Sequence, residues 1–240
     1  MDKSNAETAD SRWKSLYKAG GVAALFSVVL VPIQLIVFTA VPEPNTAIGW
    51  FTLFQSNKLL GLLSFEVLFV VNAAVGITTT LALYIALRRV NESLMAIALA
   101  FGFIGTIAII VARPAIDMLY LSDQYAAATT DAQRTLFLAA GEAIIALRHG
   151  TAFHVSYNLA NINLLIIPAV MLQSRIRIFS KATAYVGILA GVIGFGLYLP
   201  TIGIFISILS VLFFAIWNIL IARRMLQLGR LESQMLPQPS

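Results

Sequence analysis

The stretch 20-GGVAALFSVVLVPIQLIVFTAV-41 runs for twenty-two positions without a charged residue. As an α-helix it covers about 33 Å, slightly more than the roughly 30 Å hydrocarbon core of a bilayer. Five further stretches are long and apolar enough to do the same: 59–87, 94–120, 151–173, 182–199 and 202–222. The whole chain agrees with them, being 59% hydrophobic and only 11% charged. Soluble domains run about 45–50% apolar and roughly 25% charged. A water-soluble enzyme, a disordered tail protein and a disulfide scaffold are therefore excluded. The expected fold class is all-α: a polytopic membrane helical bundle of six transmembrane helices plus an outer amphipathic helix. The absence of cysteine removes thiolate catalysis, Cys-type zinc sites, c-type haem attachment and S-palmitoylation.

Lysine and arginine set the expected orientation. Lys3, Arg12, Lys14 and Lys18 precede the first span, and Arg88 and Arg89 follow the second. Arg175, Arg177 and Lys181 separate the fourth and fifth, and Arg223, Arg224 and Arg230 follow the sixth. Twelve of the sixteen basic residues thus fall on one side, leaving Lys58, Arg113, Arg134 and Arg148 for the other. This predicts a multi-pass protein of the cytoplasmic (inner) membrane with both termini cytoplasmic. The segments are 1–18 as a cytoplasmic N-terminal segment, 19–224 as the transmembrane domain, and 225–240 as a cytoplasmic tail. The flank of the first span lacks the short basic region and short apolar core of a signal peptide, so a retained helix is expected. The net charge of +5 is then mostly topology, with some attraction to anionic lipid heads, and nucleic acid is not expected as a partner.

Two connections are long. In the first, Pro42-Glu-Pro-Asn45 leads into Ala47–Phe54, where Trp50 and Phe51 suit the headgroup level and predict a short interfacial helix. In the second, 122–150, Asp131 is the expected N-cap. Leu136, Phe137, Ala140, Ile144 and Leu147 recur at three- and four-residue spacing, predicting an amphipathic outer helix bounded by Gly150. Pro200-Thr201 makes a tight hairpin between the last two spans. Gly187 and Gly191 form a G-x-x-x-G packing face in the fifth span, against a close helix.

Polar residues inside the spans carry the functional question, because hydrocarbon tolerates them only when they are paired or reach water. Counting from the cytoplasmic basic anchors, Glu66 lies 22 residues from Arg88, Arg113 lies 20 from Ser93, and His154 lies 21 from Arg175. Each count is roughly 30–33 Å of helix. That places Glu66, Arg113 and His154 at one outer boundary, with Asp117 one turn above Arg113. Three readings stand there: charges that merely reach the headgroups, a polar binding site opening outward, or contacts within an oligomer. In the binding-site reading, Asn158 and Asn161 continue the site down the His154 face of the fourth span. A second layer, at roughly 24–26 Å by the same count, holds Gln34, Asn72, Asn158, Tyr198 and Ser207. It reads as interhelical hydrogen bonding or as the floor of a solvated cavity.

Catalytic signatures fail. His154-Val-Ser-Tyr-Asn158 has the His/Asn spacing seen in rhomboid proteases, but there is no Gly-x-Ser-Gly turn, and the one other histidine is His149. Two histidines five apart supply neither a three-ligand zinc site nor facing haem ligands, and no phosphate-binding glycine loop is present. No enzyme activity, cofactor or metal is expected.

Asn57-Lys-Leu-Leu-Gly61, Phe65-Glu66 and Arg88-Arg89-Val-Asn91-Glu92 resemble the bacterial and archaeal membrane family known as domain of unknown function 4386. Residues 175–200, with Ala184-Tyr-Val-Gly187, and Trp217 resemble the same family. The resemblance implies the six-span fold and brings no catalytic residue with it. Members often carry a Glu soon after the Arg of the third span; here Pro114 follows Arg113 and the acid is Asp117. The expected role is binding or sensing a small or lipidic ligand at the outer polar residues, with membrane lipids as partners. A small-solute transporter and a structural or assembly subunit of a membrane complex are the alternatives.

Overall fold

The computed structural model describes residues 11–175 and 178–230. Lys3 and Arg177, both counted for the expected orientation, lie outside them, as does the tail beyond Arg230. Ten α-helices are present among the described residues, with no strand: α1 (Lys14–Ala40), α2 (Ala47–Ser56), α3 (Lys58–Ser64), α4 (Val67–Leu87), α5 (Glu92–Ala112), α6 (Ala115–Ala127), α7 (Asp131–Arg148), α8 (Thr151–Gln173), α9 (Lys181–Gly194) and α10 (Gly203–Leu228). Among the described residues, six helical segments are long and apolar enough to cross a membrane: Lys14–Ala40, Val67–Leu87, Glu92–Ala127, Asp131–Gln173, Lys181–Tyr198 and Gly203–Leu228. The protein is thus an all-α membrane protein.

Two of the expected spans are interrupted. The stretch 59–87 stops being helical after Ser64, and α4 begins at Val67. The stretch 94–120 divides into α5 and α6 around Arg113-Pro114. The second break follows from proline, which lacks an N–H and clashes with the preceding turn. The first lies at a residue with no such excuse, Glu66, whose φ is 63°.

The chain divides into two compact units, with boundaries inside α1, α4, α5 and α8. The first comprises the described residues up to Val29, Ala74–Phe103, and those from Asn158 onward. Its core is built from Tyr17, Leu83, Leu87, Met95, Val170, Ile221 and Met225. Glycine sets the helix spacing there. A Cβ on Gly187 would meet the Trp217 indole nitrogen at 2.5 Å, and one on Gly191 would meet the Asn161 carbonyl oxygen and Leu164 Cβ at 3.0 Å each. α9 therefore packs tightly on both α8 and α10. A 3₁₀ turn, Phe195–Tyr198, and the Pro200-Thr201 hairpin, with Thr201 at φ 68°, return the chain from α9 into α10.

The second unit, Leu30–Ala73 with Ile104–Tyr157, holds α2, α3, α6 and α7 and the adjoining ends of α1, α4, α5 and α8. Its core is aromatic: Trp50, Phe51, Phe54 and Phe65 are fully buried with Ala47, Ala115 and Met118. The short helix over 47–54 exists as expected, but its Trp50 and Phe51 rings face this core instead of being displayed at the surface. Thr46 caps α2 by accepting from the Gly49 N–H, and Asn57 caps α3 through Leu60 N–H at 2.9 Å.

α7 needs two corrections. Thr130, not Asp131, is its N-cap, in a capping box completed by Gln133. Its buried face is also turned from the expected one. Leu136 and Leu147 are exposed, at 66% and 42%, while Gly141 and Arg148 are buried. A Cβ on Gly141 would meet Ala47 Cβ at 2.8 Å, so α7 lies directly against α2. The inward stripe is Phe137, Gly141, Ile144/Ile145 and Arg148, with the arginine at its end.

Candidate functional site

Where the inward stripe of α7 ends, four charged side chains of the second unit meet. Glu66 Oε2 lies 3.0 Å from Arg148 Nη2 and is also ion-paired with Arg113 Nε. Arg148 Nη1 is ion-paired with Glu43 Oε1. Side-chain exposure is 3% for Arg148, 8% for Arg113 and 10% for Glu66, but 31% for Glu43. Two guanidinium and two carboxylate groups balance, which is what burial of charge demands.

Each member is positioned by local structure. Arg113 follows the last residue of α5, and its Nη1 donates to the carbonyl oxygens of Ala112 at 3.1 Å and Arg148 at 2.8 Å. Those carbonyls terminate α5 and α7, so one cation answers the negative ends of two helices. The ring of Phe153 lies 4.8 Å from the Arg113 guanidinium carbon. Arg148 is flanked by Trp50 at 5.5 Å and Phe65 at 5.1 Å, both within cation–π range. Trp50 and Phe65 meet edge to face, with centroids 4.7 Å apart, which fixes the aromatic wall that Arg148 rests on.

Glu66 occupies the junction of α3 and α4. Phe65 closes α3, its N–H bonding the Gly61 carbonyl, and Glu66 takes the left-handed conformation usual for glycine after a helix end. A side chain there costs about 1–2 kcal/mol. The two arginines explain why a glutamate holds the position: its backbone bends the chain where its carboxylate must turn inward. Nearby contacts stiffen the surroundings. Ala47 N–H donates to Glu142 Oε1 at 2.7 Å, and Ser122 Oγ donates to the Phe51 carbonyl at 3.1 Å.

Of the residues placed at the outer boundary by depth, Glu66 and Arg113 are brought into direct contact. His154 is exposed on α8, edge-on to Phe153 at 5.2 Å, and Asp117 is exposed on α6. Among the described residues, Asp117 makes no ion pair with the four-membered network. Asn158 and Asn161 belong to the first unit. Asn158 Nδ2 donates to the Tyr198 hydroxyl at 2.7 Å, and Asn161 is buried against Gly194. Ser207, also in that unit, is half-buried. Of the deeper layer, Gln34 and Asn72 belong to the second unit. Gln34 Nε2 donates to the Leu63 carbonyl at 3.2 Å, in the turn before Glu66. Asn72 is half-buried one and a half turns into α4.

Sequence reasoning missed Arg148 and Glu43. Arg148 stands seven residues after Gly141 and eleven after Phe137, spacings that return to the same helix face. That periodicity was the available signal. Glu43, between two prolines, carries none.

The family described as domain of unknown function (DUF4386) matches residues 15–223, a range that holds all four charged residues. The chain belongs to the DUF4386 family. No curated protein and no solved structure matches it. For this DUF4386 protein the membership agrees with six apolar helices and leaves the network as the feature from which to argue function.

Proposed function

We propose that this protein binds a small or lipidic ligand at the Glu66–Arg113–Arg148 site, on the outer side of the cytoplasmic membrane. The observation that carries the reading is Glu66 itself. A buried carboxylate, on strained backbone, is shared by two buried arginines. Strain of this kind persists where surrounding structure over-determines it, and it clusters at ligand clamps and switches. His149, which follows Arg148 in the chain, and His154 are exposed on the same unit and add hydrogen-bonding groups there. Transport fits less well. Along Ala73–Leu87 the polar side chains are three threonines and Tyr84. Thr79 donates to the Gly20 carbonyl at 3.0 Å and Thr80 to Gly76 at 3.2 Å, so two of these four hydroxyls are engaged by backbone.

Native mass spectrometry of protein extracted in mild detergent tests the reading. A retained small-molecule or lipid adduct is expected on the wild type and is lost in Arg113→Lys, which keeps the charge but not the planar fork. A wild type without adduct, or a variant that keeps it, removes the site from consideration.

The proposed orientation follows from the twelve-to-four basic asymmetry. Because the chain has no cysteine, Asp123→Cys and Ser233→Cys give clean single labels, Ser233 lying outside the described residues. An impermeant thiol reagent on intact cells is expected to label position 123 and not 233. The reverse pattern would refute the orientation.

A further inference from the structure

We infer that Glu43 is an internal stand-in for an oxyanion ligand, and that Arg148 receives a singly charged phosphate or carboxylate group when Glu43 swings out. The inference rests on the ligand-binding reading above and names the chemistry of the ligand.

Charge decides the class. With Glu43 in place the four groups sum to zero; without it, Arg113, Arg148 and Glu66 leave one positive charge in a site that is largely closed to water. A buried uncompensated charge is costly, so the open state calls for one negative charge from outside. Guanidinium geometry narrows this further. Arg148 splits its two terminal nitrogens between Glu43 on Nη1 and Glu66 on Nη2. The Nη1 vacated by Glu43 presents charge-assisted N–H donors to a phosphate or carboxylate oxygen.

Glu43 is also the one member of the four built to leave. It is the most exposed, at 31%. It sits in an irregular link between α1 and α2, between Pro42 and Pro44, neither of which has an N–H to anchor the strap. Glu66, by contrast, is fixed at a helix junction and buried. Arg148 stays in position because Trp50 and Phe65 flank it from the fully buried aromatic core. The receiving group is therefore preorganised while its occupant is tethered only loosely.

A phosphodiester in a lipid headgroup and a free small anion share this chemistry. The test uses full-length protein with dimethyl phosphate or acetate in detergent at constant ionic strength, and nanodiscs of phosphatidylglycerol or phosphatidylcholine. Glu43→Gln removes the competing charge at nearly constant shape. Its thermal midpoint is expected to respond to the anion at concentrations about tenfold or more below those needed by the wild type, as expected when a closed state no longer competes. Adding Arg148→Lys should abolish the response. Asn45 is exposed, so a nitroxide attached at Asn45→Cys, with Glu43 intact, reports strap mobility, and its spectrum should sharpen as anion is added. A response to dimethyl phosphate in detergent assigns a soluble anion. One confined to phosphatidylglycerol, and absent with phosphatidylcholine, assigns a headgroup.

If Glu43→Gln responds no better than wild type, or if the mobility of the Asn45→Cys spin label ignores every anion, the inference is overturned. Adducts on the wild type that depend on Arg113 would in that case leave the broader binding reading standing. If no adduct is found either, both fall. The labelling arm keeps the wild-type network and so remains decisive if Glu43→Gln does not fold.

Discussion

Replacing Arg148 with Met is expected to cost roughly 3–5 kcal/mol of stability, the range for breaking a buried charge pair from one side. The arginine side chain is 3% exposed, and it serves two carboxylates and two aromatic rings. Methionine fills much of the same volume against Trp50 and Phe65, so the loss reports charge and hydrogen bonding more than a cavity. Without Arg148 the buried carboxylate of Glu66 is left to Arg113 alone, and Glu43 has no reason to stay folded in. Arg148→Lys should fall between wild type and Met, since an ammonium cannot span both acids. The control is the exposed pair Lys58–Asp123, at 2.8 Å with side chains 59% and 46% exposed. Lys58→Ala should change stability by less than about 1 kcal/mol. Denaturant unfolding in mixed micelles measures all three. If Arg148→Met falls within the range of Lys58→Ala, the network does not hold this unit together.

The six apolar segments are legible in the sequence because hydrocarbon imposes one demand, length without charge, and 20–41 meets it with nothing else to interpret. The Glu66–Arg113 pairing is partly legible too. Counting residues from cytoplasmic anchors measures depth, and charges at one depth on neighbouring spans tend to find each other. Depth does not give the face. His154 shares the depth, but Phe153 is the residue of that turn beside Arg113, and the next position is rotated by about 100°. Asp117 misses the network because α6 restarts after Pro114, so the helical phase of α5 does not carry through to it. The stripe on α7 is harder for a different reason. A reading by hydrophobicity prefers Leu147 to Arg148, and only the opposing carboxylates of Glu43 and Glu66, far away in sequence, make the arginine the inward residue. The break at Glu66 has no local signal at all: Leu63-Ser-Phe-Glu-Val67 contains neither glycine nor proline, and the left-handed turn exists because tertiary charge pairing outweighs local preference.

Glu66 therefore separates two contributions that substitutions can measure independently. Glu66→Ala deletes the carboxylate shared by two arginines and keeps a Cβ at φ 63°. Its expected cost is about 3–5 kcal/mol, because the surviving Glu43 reaches Arg148 alone and Arg113 keeps its carbonyl partners and the Phe153 ring but no carboxylate. Glu66→Gly loses the same charge but relieves the backbone, so it should be more stable than Glu66→Ala by about 1 kcal/mol. An alanine as stable as the glycine would mean that the turn is not strained. The charge part is isolated by pairing with Arg113→Ala. Once Glu66 is gone, Arg113 is an uncompensated cation and removing it should cost much less than in the wild type. The double variant should then fall short of the summed single losses by about 1–3 kcal/mol. Simple additivity would show that Glu66 and Arg113 are neighbours without being partners, and the site would lose the shared carboxylate on which its reading as a ligand clamp depends.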